Sequence, residues 1–60
     1  MKCFTVNEVA KSIGVSKGYV YELIYTGRLR AIRLSERRFR ISEESLQDFI
    51  RQEEGRVVSN

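Results

Sequence analysis

Ile32 and Leu34 alternate with Arg33, and Phe39 and Ile41 alternate with Arg38 and Arg40, inside a stretch from Arg28 to Arg40 that holds six arginines and one glutamate. Alternation at period two marks a strand with one buried face. The interruption Ser35-Glu36-Arg37 turns two such runs into a hairpin. In this reading the apolar residues of both strands pack on the rest of the chain, and the guanidinium groups face water. A ribbon of arginines is an anion-binding surface, and the polyphosphate backbone is the commonest anion of matching form.

The rest of the chain must supply what the hairpin packs against. Sixty residues make one domain, and a chain of that length buries only about 60% of its unfolded surface. Cys3 is the single cysteine and histidine is absent, which excludes an internal disulfide and argues against a structural zinc site. No metal or cofactor is expected, and the fold must stand on a small apolar core. A lone thiol suits a reducing compartment. No segment reads as a signal peptide or a membrane span, so a cytoplasmic location is expected.

Charge is unevenly spread. Residues 1–27 carry three lysines against two glutamates, residues 28–40 carry six arginines against Glu36, and residues 41–60 carry two arginines against five carboxylates. The positive field is concentrated on the hairpin, where it steers an anionic partner better than a diffuse charge would. The plain alternative is a solvated arginine-rich surface.

Helix signals bracket the hairpin. Thr5-Val6-Asn7-Glu8 has the form of a capping box, followed by Val6, Val9, Ala10 and Ile13 at helical spacing. Gly14 suits the position past a helix end, and Ser16 is a good cap for a second helix from Lys17 to Thr26. Its inner stripe is Val20, Leu23 and Ile24, and Gly27 closes it. So short a connection fits a helix-turn-helix. Ser42 opens a third helix, with Glu43 and Glu44 in the favourable first turn and Leu46, Phe49 and Ile50 facing the core. Gly55 is expected to stop it. The expected organisation is a domain over residues 1–55 and a tail over residues 56–60.

The ordered set Phe4-Thr5-Val6-Asn7-Glu8-Val9-Ala10, Ile13-Gly14-Val15-Ser16, Val20-Tyr21-Glu22-Leu23-Ile24, Gly27-Arg28-Leu29 and Ala31-Ile32-Arg33 resembles the excisionase-type small winged-helix DNA-binding domains, relatives of the MerR-type domain. Arg37-Arg38-Phe39-Arg40-Ile41-Ser42 resembles the family's returning wing strand, and Leu46 and Phe49 its closing helix. The resemblance implies a mainly α winged helix-turn-helix: helix, turn, helix, two-stranded β wing, C-terminal helix. Two positions depart from the family. Its wing turn usually contains glycine where this chain has Ser35-Glu36, and it often has a large polar or basic residue where Gly18 stands. Gly18 either lets a phosphate approach the backbone or is a weak spot in the helix.

In helix-turn-helix proteins the first turns of the second helix enter the major groove. Lys17, Tyr19 and Glu22 are then the base-edge candidates: Lys17 can donate to guanine and Glu22 can accept from cytosine. Glu22 also reads as a surface partner for an arginine. Tyr21 and Tyr25 would set hydroxyls near phosphates, and the resemblance implies a backbone contact for Tyr21. Equally, Tyr21 reads as core with its hydroxyl at the rim, and Tyr25 as packing on Phe4 or the wing. Lys17 opposes the helix dipole, which a phosphate contact would offset. Arg33, Arg38 and Arg40 are expected on the polar face of the wing, with Arg37 near its tip. Arg28 and Arg30 would clamp flanking phosphates. Phe39 and Ile41 read as core.

No residue set supports catalysis, and an enzyme is not expected. The resemblance implies an excisionase, or recombination directionality factor: several copies near the end of a mobile element bend DNA so that an integrase assembles for excision. The short chain, without an effector domain, agrees with that reading. A small MerR-like transcriptional regulator is the alternative, and a protein-interaction module using the acidic third helix is a second. The expected partners are double-stranded DNA and an integrase, with no membrane. A monomer in solution is expected, on the premise that the core uses every apolar helix face; neighbours could cooperate on DNA.

Overall fold

The computed structural model describes residues 2–57, with side chains as far as residue 54. Its elements are β1 (Cys3–Phe4), α1 (Val6–Ile13), α2 (Lys17–Tyr25), β2 (Ile32–Ser35), β3 (Arg38–Ser42) and α3 (Glu43–Val57).

Local chemistry sets the helix ends. The Thr5 hydroxyl accepts from the Glu8 amide at 3.1 Å, and the Glu8 carboxylate accepts from the Thr5 amide at 2.9 Å, so the expected capping box opens α1. Gly14 ends α1 in left-handed backbone at φ 73°, a conformation that costs a residue with a Cβ about 1–2 kcal/mol. The Ser16 hydroxyl then accepts from the Tyr19 amide at 3.1 Å and caps α2. Past α2, Gly27 stands at φ 80°. The Arg28 amide donates to the Leu23 carbonyl at 2.9 Å, and the Gly27 amide to that of Ile24 at 3.1 Å, the two bonds of a Schellman motif. Ser42 caps α3, accepting from the Ser45 amide at 3.0 Å.

The core joins every helix to the sheet. Val6, Val9 and Ala10 of α1, Val20 and Leu23 of α2, Phe39 and Ile41 of β3, and Leu46 and Phe49 of α3 are buried together with Leu29. Among the described residues no polar or charged side chain is buried. The architecture is a winged helix-turn-helix, with one addition to the expected wing. β1 pairs antiparallel with β3, Cys3 opposite Ser42 and Phe4 opposite Ile41, giving a three-stranded sheet in the order β1-β3-β2. Two residues are too few to show an alternating pattern, so β1 left no mark in the sequence.

Three expectations need correction. First, α3 continues through Gly55 to Val57. Glycine in a helix costs about 1 kcal/mol relative to alanine, which slows a helix but does not stop one. Residues 56 and 57 therefore belong to α3; the remaining tail, 58–60, lies outside the described residues.

Second, Ile32 and Leu34 do not pack on the core; they are 53% and 55% exposed. The register explains this. Ser35 lies opposite Arg38, but Arg33 lies opposite Phe39 and Ile32 opposite Arg40, with a bulge between Arg33 and Ser35. Without the extra residue, Leu34 would face Phe39 and Ile32 would face Ile41, completing the apolar face. A shift of one residue moves a strand's side chains to the other face.

Third, and for the same reason, Arg33 does not share a face with Arg38 and Arg40. It lies on the Phe39 side, its guanidinium 5.8 Å from that ring. Arg38 and Arg40, by the alternation of β3, lie on the opposite side with Ile32. Among the described residues no non-glycine residue has a positive φ. The Glu36-Arg37 tip is thus not one of the primed turns that suit a two-residue hairpin, and the bulge takes up the twist instead.

Candidate nucleic-acid interface

Aromatic contacts hold the wing to α2. The rings of Tyr21 and Tyr25 meet Phe39 edge-on, with centroids 6.0 and 5.9 Å away, and stack on each other at 6.3 Å. The Tyr21 hydroxyl donates to the Arg37 carbonyl at 3.2 Å, pinning the wing tip beside the helix. Tyr21 is half-buried, whereas Tyr25 is 63% exposed although it touches the wing. The Arg33 guanidinium donates to the carbonyls of Ser35 and Glu36, each at 3.3 Å, so it braces the tip from within.

The tip and the start of α2 enclose a cationic cleft. Lys17, Tyr21, Arg37, Arg38 and Arg40 line it together with Thr5, Val6, Asn7 and Phe39, around a space of about 200 Å³. Asn7 is not a residue the sequence singles out; its place within the capping box, in the first turn of α1, is the one signal for it. Among the described residues no carboxylate is ion-paired with Arg33, Arg37, Arg38 or Arg40. Three of these guanidinium groups, Arg37, Arg38 and Arg40, line the cleft with Lys17 and form a surface that favours an anion. Arg40 also donates to its neighbour, the Phe39 carbonyl, at 3.1 Å.

Gly18 and Glu22 are exposed on α2, and no arginine is ion-paired with Glu22 among the described residues. A Cβ at Gly18 would meet only the Ser16 hydroxyl, at an ordinary 3.9 Å. Gly18→Ala should therefore stabilise the fold by up to about 1 kcal/mol, read as a raised Tm. If a phosphate approaches that backbone, the same variant binds DNA more weakly, and the two measurements separate the two readings of this glycine.

The remaining candidates lie on the α3 side. Arg28 makes an ion pair with Glu53 at 2.7 Å. Its hydrogen bond to that carboxylate, then the carboxylate's charge, raise the guanidinium above its ordinary value, with Tyr19 a smaller contributor. Arg28 thus starts from a protein partner and not from an open phosphate clamp. Arg30 is exposed and lines two grooves, one shared with Ile32 and Arg40 and the other with Arg28 and Asp48. Tyr19 lines an apolar groove of about 450 Å³ with Ile13, Val15, Phe49 and Ile50, rimmed by Glu53 and Glu54. Among the described residues this groove is an apolar surface at the margin of the core.

Among the described residues no helix is long and apolar enough to cross a membrane, and no cluster of acidic, cysteine or histidine side chains could hold a metal. No curated protein sequence and no solved structure matches this chain. The profile of the "Helix-turn-helix domain" family matches residues 3–54, the span from β1 into α3 that carries the two helices, the wing and the cationic cleft. With these elements in that order, the chain belongs to the helix-turn-helix domain family, a DNA-binding family.

Proposed function

We propose that this chain is a sequence-preferring double-stranded DNA-binding protein of the excisionase type, acting as a recombination directionality factor beside an integrase. The N-terminal half of α2 enters the major groove, and the wing lies along the neighbouring groove. One observation carries the reading: Lys17, Tyr21, Arg37, Arg38 and Arg40 converge on one cleft at the junction of α2 and the wing tip. A duplex approaching the outer side of α2 meets that cleft as a phosphate seat. Lys17 at the start of α2, otherwise unfavourable to the helix dipole, gains an anionic partner there. The excisionase role rests on the resemblance of the ordered motifs from Phe4 to Phe49.

A salt titration tests DNA binding. If five or six phosphates are neutralised, log K should fall against log salt with a slope near −5, from about −0.9 per phosphate. A slope near zero on every duplex tried would remove the proposal. An excision assay on a mobile-element end with its integrase tests the role: added protein should raise excision and lower integration. Strong salt-dependent binding without any effect on excision would assign the domain to promoter regulation instead.

A further inference from the structure

The bulge in β2 puts Ile32 on the outer face of the wing and leaves Leu34 unmatched and exposed two residues on, in the most basic part of the chain. Ile32 is 53% exposed on the face that also carries Arg40, and Leu34, at the bulge, is 55% exposed. Beside them stand Arg30 and Arg40, which share a groove with Ile32, and Arg38, which shares the face of Arg40 by the alternation of β3. β2 is one of the two edge strands of the sheet, so its free edge can approach a partner without displacing another strand. Left as it is, the pair loses the burial that an unbulged register would give it. Bulges of this kind commonly re-aim side chains at functional sites.

We propose that Ile32 and Leu34 form an apolar crest that enters the DNA minor groove and partly unstacks a base step there, while the flanking arginines hold the groove walls. This rests on the DNA-binding reading above and adds to it a cause for bending. Two features favour DNA over a protein as the occupant. Among the described residues no carboxylate pairs with Arg30, Arg38 or Arg40 beside the crest, and such groups are drawn to the deep negative potential of a narrow minor groove. Apolar wedges inserted between base steps kink the duplex toward the major groove. In the minor groove A·T pairs lack the guanine amino group, so an apolar crest should enter A·T-rich sequence more readily.

The test compares the wild-type protein with Leu34→Ser and Ile32→Ser. Both sites are exposed, so the far-UV spectrum and Tm should stay unchanged. The probe is a short A·T-rich duplex with a fluorescent aminopurine beside a central TA step and dyes at its ends. Wild-type binding should raise the aminopurine signal and shorten the end-to-end distance. Each variant should keep the wild-type salt slope, lose most of both signals, and bind this duplex about tenfold more weakly, as expected for partial burial of one such side chain. Variants that bend and unstack like wild type would overturn the crest proposal and leave DNA binding standing. Variants that bend DNA normally but alter self-association or a protein contact would overturn it in favour of a protein-facing crest. A wild-type protein with no salt-dependent binding to any duplex would remove the DNA reading and the crest with it.

Discussion

Replacing Phe39 by alanine is expected to remove most of the protein's folding stability. Removing a buried phenylalanine costs about 3–5 kcal/mol. A domain of this length has about 3–9 kcal/mol in total, from roughly 0.05–0.15 kcal/mol per residue. Phe39 is buried on β3 and also carries the edge-on contacts of Tyr21 and Tyr25. Its loss therefore opens the core and releases the wing from α2 together. Thermal unfolding followed by far-UV circular dichroism would show it, as a fall in Tm far beyond that of any surface variant. Phe39→Leu separates the two effects. It keeps an apolar side chain of similar size and gives up the ring contacts, each contributing about 0.5–1.5 kcal/mol beyond buried area. That variant should fold, with a loosened wing and weakened DNA binding. A Phe39→Ala protein with wild-type Tm would mean that the wing is not an integral part of the core.

The double variant Arg37→Ala with Arg38→Ala is expected to weaken DNA binding by about a hundredfold at low salt. Each hydrogen bond to a charged group contributes about 1.5–3 kcal/mol, and each phosphate contact removed lowers the salt slope by about one. Both residues are exposed at the wing tip and line the cleft with Lys17, so Tm should change little. The loss should be equal on specific and random sequences, because phosphate contacts carry position and not sequence. Lys17→Ala distinguishes a phosphate contact from a base contact. As a member of the phosphate seat, Lys17 should give equal losses on both kinds of DNA. A change in the preferred site by about 1–3 kcal/mol that spares random DNA would assign it to a base edge. An unchanged salt slope in the double variant would show that the tip does not touch DNA.

The α3 side of the molecule bears on the same question. Tyr19 looks outward on a helical wheel, yet it lines the apolar groove with Phe49 and Ile50, and Arg28 close by is engaged by Glu53. A wheel drawn for α2 alone cannot tell solvent from a neighbouring helix that arrives thirty residues later in the chain. Tyr21 and Tyr25 show the converse. Each had been open to a core or wing role as well as a DNA role, and both rings touch Phe39.

What the sequence determined by itself was most of what near neighbours govern, the end of α3 at Gly55 excepted. Thr5 with Glu8, Ser16 with Tyr19, Gly14 and Gly27 act over three to five residues, and the stripes Val6-Val9-Ala10 and Val20-Leu23 follow the helical period. These fixed the order helix, turn, helix, wing, helix, and most of the core. Tertiary structure alone decided the faces of the wing. One unmatched residue between Arg33 and Ser35 changes which strand faces coincide, and alternation reads the same with or without it. The pairing of β1 with β3 and the capture of Arg28 by Glu53 likewise join distant parts of the chain. Period and capping are local energies, written in consecutive residues; register and side-chain partnership depend on what the folded chain brings alongside.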